Sequence, residues 1–109
     1  MAWLLRDGEV LAGAEIAATA RERRRGLLGR DHCDGALVLR PCRHVHTALM
    51  RFPIDVAFCD ASGVVLRTCT LAPWRVSPLV RRAAFVIEAE AGAFDRWHVH
   101  PGDRLEVRA

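Results

Sequence analysis

The chain contains no lysine, tyrosine, asparagine or glutamine, and all 16 of its basic residues are arginine. Each absence removes chemistry. Without lysine there is no Schiff base, without tyrosine no phenolic acid, and without a side-chain amide no Asn or Gln to line an oxyanion hole. The cysteines, Cys33, Cys42, Cys59 and Cys69, include no C-x-x-C pair, so a redox motif or zinc ribbon is not indicated. Long apolar runs are missing too, so no transmembrane span is expected. The apolar start Met1–Leu5 meets Arg6-Asp7 at once, too short for the core of a secretion signal. These features predict a cytoplasmic protein with reduced thiols. Internal repeats, linkers and low-complexity tracts are also lacking.

What is present fits an ordinary globular chain. Its 109 residues predict one domain over 1–109, with apolar residues at 51% and charged residues at 27%. A chain of this mass buries about 65% of its extended surface, enough for a core without metal or disulfide staples. The net charge of +3 would favour an acidic partner. The basic run Arg21, Arg23, Arg24 and Arg25 lacks interleaved aromatic residues and a helix-turn-helix partner, so it reads as a solvated helix face and nucleic acid is not the expected partner.

Strand signals dominate. Asp7-Gly8 supplies two positive-φ positions for a type I′ turn between Trp3–Arg6 and Glu9–Ala12. Thr19-Ala20-Arg21-Glu22 is a capping box, predicting a helix from Ala20 to about Leu28 with Gly29 as its left-handed stop and an inner face of Ala20, Leu27 and Leu28. Further strands are expected at Ala36–Leu39, Val45–Leu49, Ile54–Cys59, Val64–Leu71, Phe85–Glu88 and Leu105–Val107, with a short helical segment at Ala93–Trp97. The expected fold is β-rich α+β: a small barrel-like antiparallel or mixed sheet with one N-terminal helix and a short C-terminal helical turn.

The stretch Val45–Phe58, with Arg25–Arg30 upstream and Pro101-Gly102-Asp103 downstream, resembles a small bacterial and archaeal family, domain of unknown function 192. The resemblance covers nearly the whole chain. It implies a compact fold and brings no established activity, and no metal ligands come with it. In that family the Met50–Asp55 segment and the loop around Trp74 are distinctive. A large polar or aromatic cluster usually precedes the Met, where this chain has His46-Thr47-Ala48-Leu49.

Asp55 stands out because an Asp within an apolar strand must find partners. It is either a structural anchor to backbone amides or an arginine, or an acid/base group in a pocket. Register separates its neighbours: a three-residue loop at Arg51–Pro53 places it opposite Leu49, a four-residue loop opposite Met50 on the face of His44, His46 and Cys59. The pairs His44/His46 and His98/His100 have i, i+2 spacing that suits metal ligation on a strand, although the second falls at a helix exit. Cys59 beside His46 has the composition of a nucleophile pair, but its apolar surroundings favour inert core sulfur. Trp74-Arg75 offers a stacking surface, or else a lid on the barrel.

These residues support an expected binding surface of His46, Met50, Arg51, Asp55, Trp74 and Arg75, on a non-catalytic module for a small ligand or peptide, without a cofactor. Two alternatives stand beside it: a hydrolase-like enzyme using Asp55 with His46, and a metal-binding protein using the two His-x-His pairs.

Overall fold

Strand pairing in the computed structural model, which describes residues 2–109, joins seven strands into one mixed sheet. In chain order the elements are β1 (Ala2–Arg6), β2 (Glu9–Ala17), α1 (Ala20–Arg25), β3 (Ala36–Leu39), β4 (Ile54–Cys59), β5 (Val65–Leu71), β6 (Phe85–Glu90), α2 (Ala93–Trp97) and β7 (Leu105–Arg108). The spatial order is β5-β4-β6-β3-β2-β1-β7. Among the described residues only β2 and β3 run parallel, joined by the crossover that contains α1. The β1–β2 hairpin turns at Asp7 (φ 51°) and Gly8 (φ 80°), as the Asp-Gly pair predicts.

The sheet curls into a half-barrel until its two edges touch. An isolated bridge joins Val64, just before β5, to Arg104, just before β7. Three backbone bonds complete the contact: Val65 N–H to Asp103 O, Gly102 N–H to Val65 O and Leu105 N–H to Gly63 O, each 2.8 Å. Side chains alternate across the pleat and build two cores. The inner face carries Ala36 and Val38 of β3, Ala57 and Cys59 of β4, and Ile87 and Ala89 of β6, plugged by Phe94 of α2. The outer face carries Leu37 and Leu39, Val56 and Phe58, and Val86, covered by Leu27, Val45, Met50 and Phe52. The central strands β4 and β6 are therefore buried on both sides, with Asp55 and Glu88 as their buried charged residues.

Two expectations need correction. Helix α1 ends at Arg25, three residues before Leu28, because Gly26 (φ 49°) leaves the helical path and lets Leu27 turn into the outer core. No α1 residue is buried, so the inner face expected of Ala20 and Leu28 does not form; Leu27 alone is fully buried, and it lies past the helix. Gly29 does have positive φ (82°), in the loop beyond.

Val45–Leu49 is not a strand of the sheet. It runs beside residues 75–80 instead. Val45 and Ser77 exchange bonds at 2.8 and 2.9 Å, His46 bridges Val76, and Val80 N–H donates to Arg43 O at 2.9 Å. Neither register considered for Asp55 occurs. Its β neighbours are Thr70 on β5 and Ala89 on β6.

Candidate functional site

The outer layer of loops leaves a gap where α1 meets the segment after β3. The gap is a cleft of about 680 Å³. Leu27, Leu39, Val45 and Met50 come from the outer core and Leu79 from the 75–80 loop. Arg23, Arg24, Arg25 and Arg43 stand around it, with Cys42, His44 and His46 alongside. A concave, mostly apolar gap with a few convergent polar groups is the usual form of a small-molecule site.

The polar group that matters most in this cleft is Glu88. It lies in the middle of β6, paired with Leu37 on β3 and Val56 on β4. The pleat turns it outward, into the cleft, on the side of Val86. It is only 4% exposed, yet among the described residues it makes no ion pair. Burial alone pushes its carboxyl up from 4.5 to about 7. Gly26 faces it: a Cβ built there would lie 3.4 Å from Glu88 Oε1. The arginines around the cleft do not reach it. The Arg23 guanidinium is held by the carbonyl oxygens of Ala18 and Arg40. The sequence carries the signal for Glu88 in plain form, a carboxylate inside Phe-Val-Ile-Glu-Ala, by the same reasoning that singles out Asp55.

Asp55 lies on the other face. It alternates with Ala57 and Cys59 toward the inner core and is 6% exposed. Its carboxylate is well satisfied: Thr70 Oγ1–H donates at 2.7 Å, Gly92 N–H at 2.9 Å and Phe94 N–H at 3.1 Å. Gly92 and Phe94 are the N-cap and second residue of α2, which has no cap from its own side chains. Asp55 thus caps, from across the sheet, the helix that plugs the barrel. A shallow depression lies beside it, bordered by Thr68, Cys69, Asp95 and His100.

The expected surface residues are dispersed. His46 and Met50 line the cleft. Arg51 bonds Asp31 at 2.8 Å in an exposed ion pair. Trp74, 62% exposed at φ 64°, sits on the loop braced by Thr47, and Arg75 Nη1–H donates to Trp74 O at 3.3 Å. Neither lines the cleft. Asp55 and His46, the pair considered for acid/base chemistry, lie on opposite faces of the sheet.

Thr47, which sequence reasoning passed over, is the knot of this region. It is fully buried, donates through Oγ1 to Ala72 O (2.6 Å), accepts from Arg75 N–H (2.8 Å) and bonds Arg75 O through its own amide (2.8 Å).

His44 and His46 share the cleft, while His98 ends α2 at φ 56° and its carbonyl lies 3.1 Å from His100 Nδ1. Among the described residues no three His, Cys, Asp or Glu side chains are grouped to hold a metal. The four cysteines are free thiols, and burial raises Cys33 to about 11 and Cys59 to about 12. No helix among the described residues is long and apolar enough to cross a membrane.

Residues 2–107 match the family of domain of unknown function 192, described as uncharacterized ACR. The chain is 37% identical over 62 residues to a UPF0127 protein of Pyrococcus furiosus, and 36% identical over the same length to one of Pyrococcus abyssi. Each alignment covers 57% of this chain and 53% of the relative, so the chain spans about half the length of the relatives it matches. A protein of unknown function from Novosphingobium aromaticivorans has the same fold, with a TM-score of 0.81, 19% identity, and coverage of 96% of this chain and 82% of that one. A Sinorhizobium meliloti protein provisionally described as a transcription regulator gives a TM-score of 0.78 at 23% identity, over 97% and 91% of the two chains. At these identities the likeness concerns the fold.

Proposed function

We propose, starting from the fact that the chain belongs to the domain of unknown function 192 family, that it is a one-domain, non-catalytic module that binds a small ligand in the cleft between α1 and the His44–Met50 segment. The observation that supports this reading is an apolar cleft of about 680 Å³ enclosing one buried carboxyl, Glu88, that has no ion pair among the described residues. Leu27, Leu39, Val45 and Met50 would take the body of the ligand, and adaptable Met50 would fit its shape. His46 stands at the side. Trp74 with Arg75 offers an exposed aromatic and guanidinium face on the loop that braces His46, open to any ligand part projecting outward. Asp55 serves this reading as an anchor for α2. Four free thiols suit a reducing, cytoplasmic location.

A fragment titration followed by methyl NMR tests the proposal. Apolar fragments of about ten heavy atoms are expected to shift Leu27, Leu39 and Met50 together, and to leave Val38 and Ile87 on the inner face unmoved. Shifts confined to other surfaces, or none at millimolar fragment, overturn it.

A further inference from the structure

We propose that the cleft takes a small molecule built of an apolar stem ending in a cationic nitrogen, an alkylammonium or alkylguanidinium, with the Glu88 carboxylate as its receiving group. This rests on the reading of the cleft as a ligand site. The position of Glu88 carries it. An ionised carboxylate placed among Leu37, Val56, Leu27 and Leu39 needs a counter-charge or donors. Asp55, on the opposite face, shows what satisfaction looks like, with a hydroxyl and two amides on its oxygens. Glu88 has no ion-pair partner among the described residues. Position 26 carries no side chain to fill the space before it.

The charged groups packed around Glu88 do not supply that partner. From α1 come Arg23, Arg24 and Arg25, of which Arg23 is tied to backbone carbonyls and the other two are exposed. From the following segment come Arg43, His44 and His46, all exposed, and the half-buried Cys42 thiol. The flanking strands β3 and β4 present the apolar Leu37 and Val56, and β6 itself adds Glu90, which alternates onto the same face. The proton therefore stays on Glu88 until about pH 7 through burial alone. An ammonium on an apolar stem answers both demands of the cleft at once: the stem fills the apolar wall, and the head supplies the missing charge-assisted hydrogen bonds. An alcohol of equal length offers only a neutral hydrogen bond. A carboxylate brings like charge to Glu88.

Three probes of matched stem separate these cases: hexylammonium, hexanol and hexanoate, titrated into the methyl-labelled protein at pH 8. Hexylammonium is expected to bind at least about tenfold more tightly than hexanol, and hexanoate most weakly. In Glu88→Gln, checked for folding by its methyl spectrum, the ammonium preference should vanish while hexanol binding persists. The wild-type protein provides an independent measure. Because binding to ionised Glu88 releases its proton, hexylammonium affinity should rise by up to about tenfold per pH unit below 7 and level off above it. Equal binding of hexylammonium and hexanol, tighter binding of hexanoate, or a flat profile between pH 5.5 and 8 overturns the inference and leaves the cleft standing as a site. Absence of binding by all three probes overturns both.

Discussion

Two carboxylates on adjacent central strands have opposite fates. Asp55 faces inward and is fully engaged, while Glu88 faces outward into the cleft. Asp55→Ala removes the acceptor for the Gly92 and Phe94 amides and frees the Thr70 hydroxyl. The loss should be about 2–4 kcal/mol by urea unfolding, since buried donors left unpaired cost more than the bond itself contributed. A loss within error would show that α2 is held without its cap. Glu88 acts in the other direction. Its folded-state value, about 7, lies above the ordinary 4.5, so between those values the folded protein holds a proton that the unfolded chain has released. Stability therefore falls as pH rises from about 4.5 to 7 and stays at the lower level above. The decrement is on the order of 3 kcal/mol. Glu88→Gln should remove this part of the profile, so the variant gains on wild type between pH 5 and pH 8. Parallel urea profiles for the two proteins would contradict the buried titration.

At the scale of elements, local chemistry and long-range packing divide the work. Helix α1 is a local product. Thr19 Oγ1 accepts from Glu22 N–H at 3.1 Å, and Glu22 Oε1 accepts from Thr19 N–H at 3.0 Å. Thr19→Ala should cost about 1 kcal/mol, read from thermal unfolding. The segment around Thr47 is the contrary case. Thr47→Val keeps the volume but strips Arg75 N–H of its acceptor and Ala72 O of its donor, for an expected loss of about 1–3 kcal/mol. Amide exchange should then quicken at Arg75 and Ser77 before it does in β4. This contrast explains what was legible in the sequence. The Asp7-Gly8 hairpin, the capping box and the bounds of β3, β4 and α2 follow from turn chemistry and apolar runs within a few residues. Val45–Leu49 carries the same apolar pattern as a strand, yet its partners sit about thirty residues away and bond through backbone groups together with the side chains of Thr47 and Ser77. Nothing local records that. The end of α1, expected at Gly29 but found at Gly26, differs for a related reason. Gly26 and Gly29 are equally able to adopt positive φ, and the burial of Leu27 decides between them. The cleft was half legible. Met50 and His46 belong to the expected surface; Glu88 shows in the sequence as a carboxylate within an apolar strand, but only the strand pairing opposite Leu37 and Val56 tells which face it takes.

At the scale of the whole molecule, the half-barrel depends on joining its two edge strands, β5 and β7. Gly63 is where they meet. It follows the Asp60 turn, where Asp60 Oδ1 accepts from Ser62 and Val64 amides, and it sits at φ 89°. A Cβ at Gly63 would lie 2.1 Å from Leu105 O, a backbone atom that cannot swing aside. Gly63→Ala must therefore push β7 away or break the bond from Leu105 N–H to Gly63 O. Gly102 supplies the control. Its φ of 95° is as unfavourable to a side chain, but nothing lies within 4 Å of a Cβ there. Gly102→Ala should show the conformational cost alone, about 1 kcal/mol or slightly more. Gly63→Ala should lose about 3 kcal/mol or more, with faster amide exchange at Val65, Gly102 and Leu105, the three donors across the closure. Because α2 and the inner core lie within the curl, opening this edge should also loosen Phe94 and Val99, while the outer cleft around Leu27 and Met50, on the far face of the sheet, keeps its shape. Equal losses in the two alanine variants would mean that β5 and β7 are not held together at Gly63, and that the sheet keeps its curl through its two cores alone.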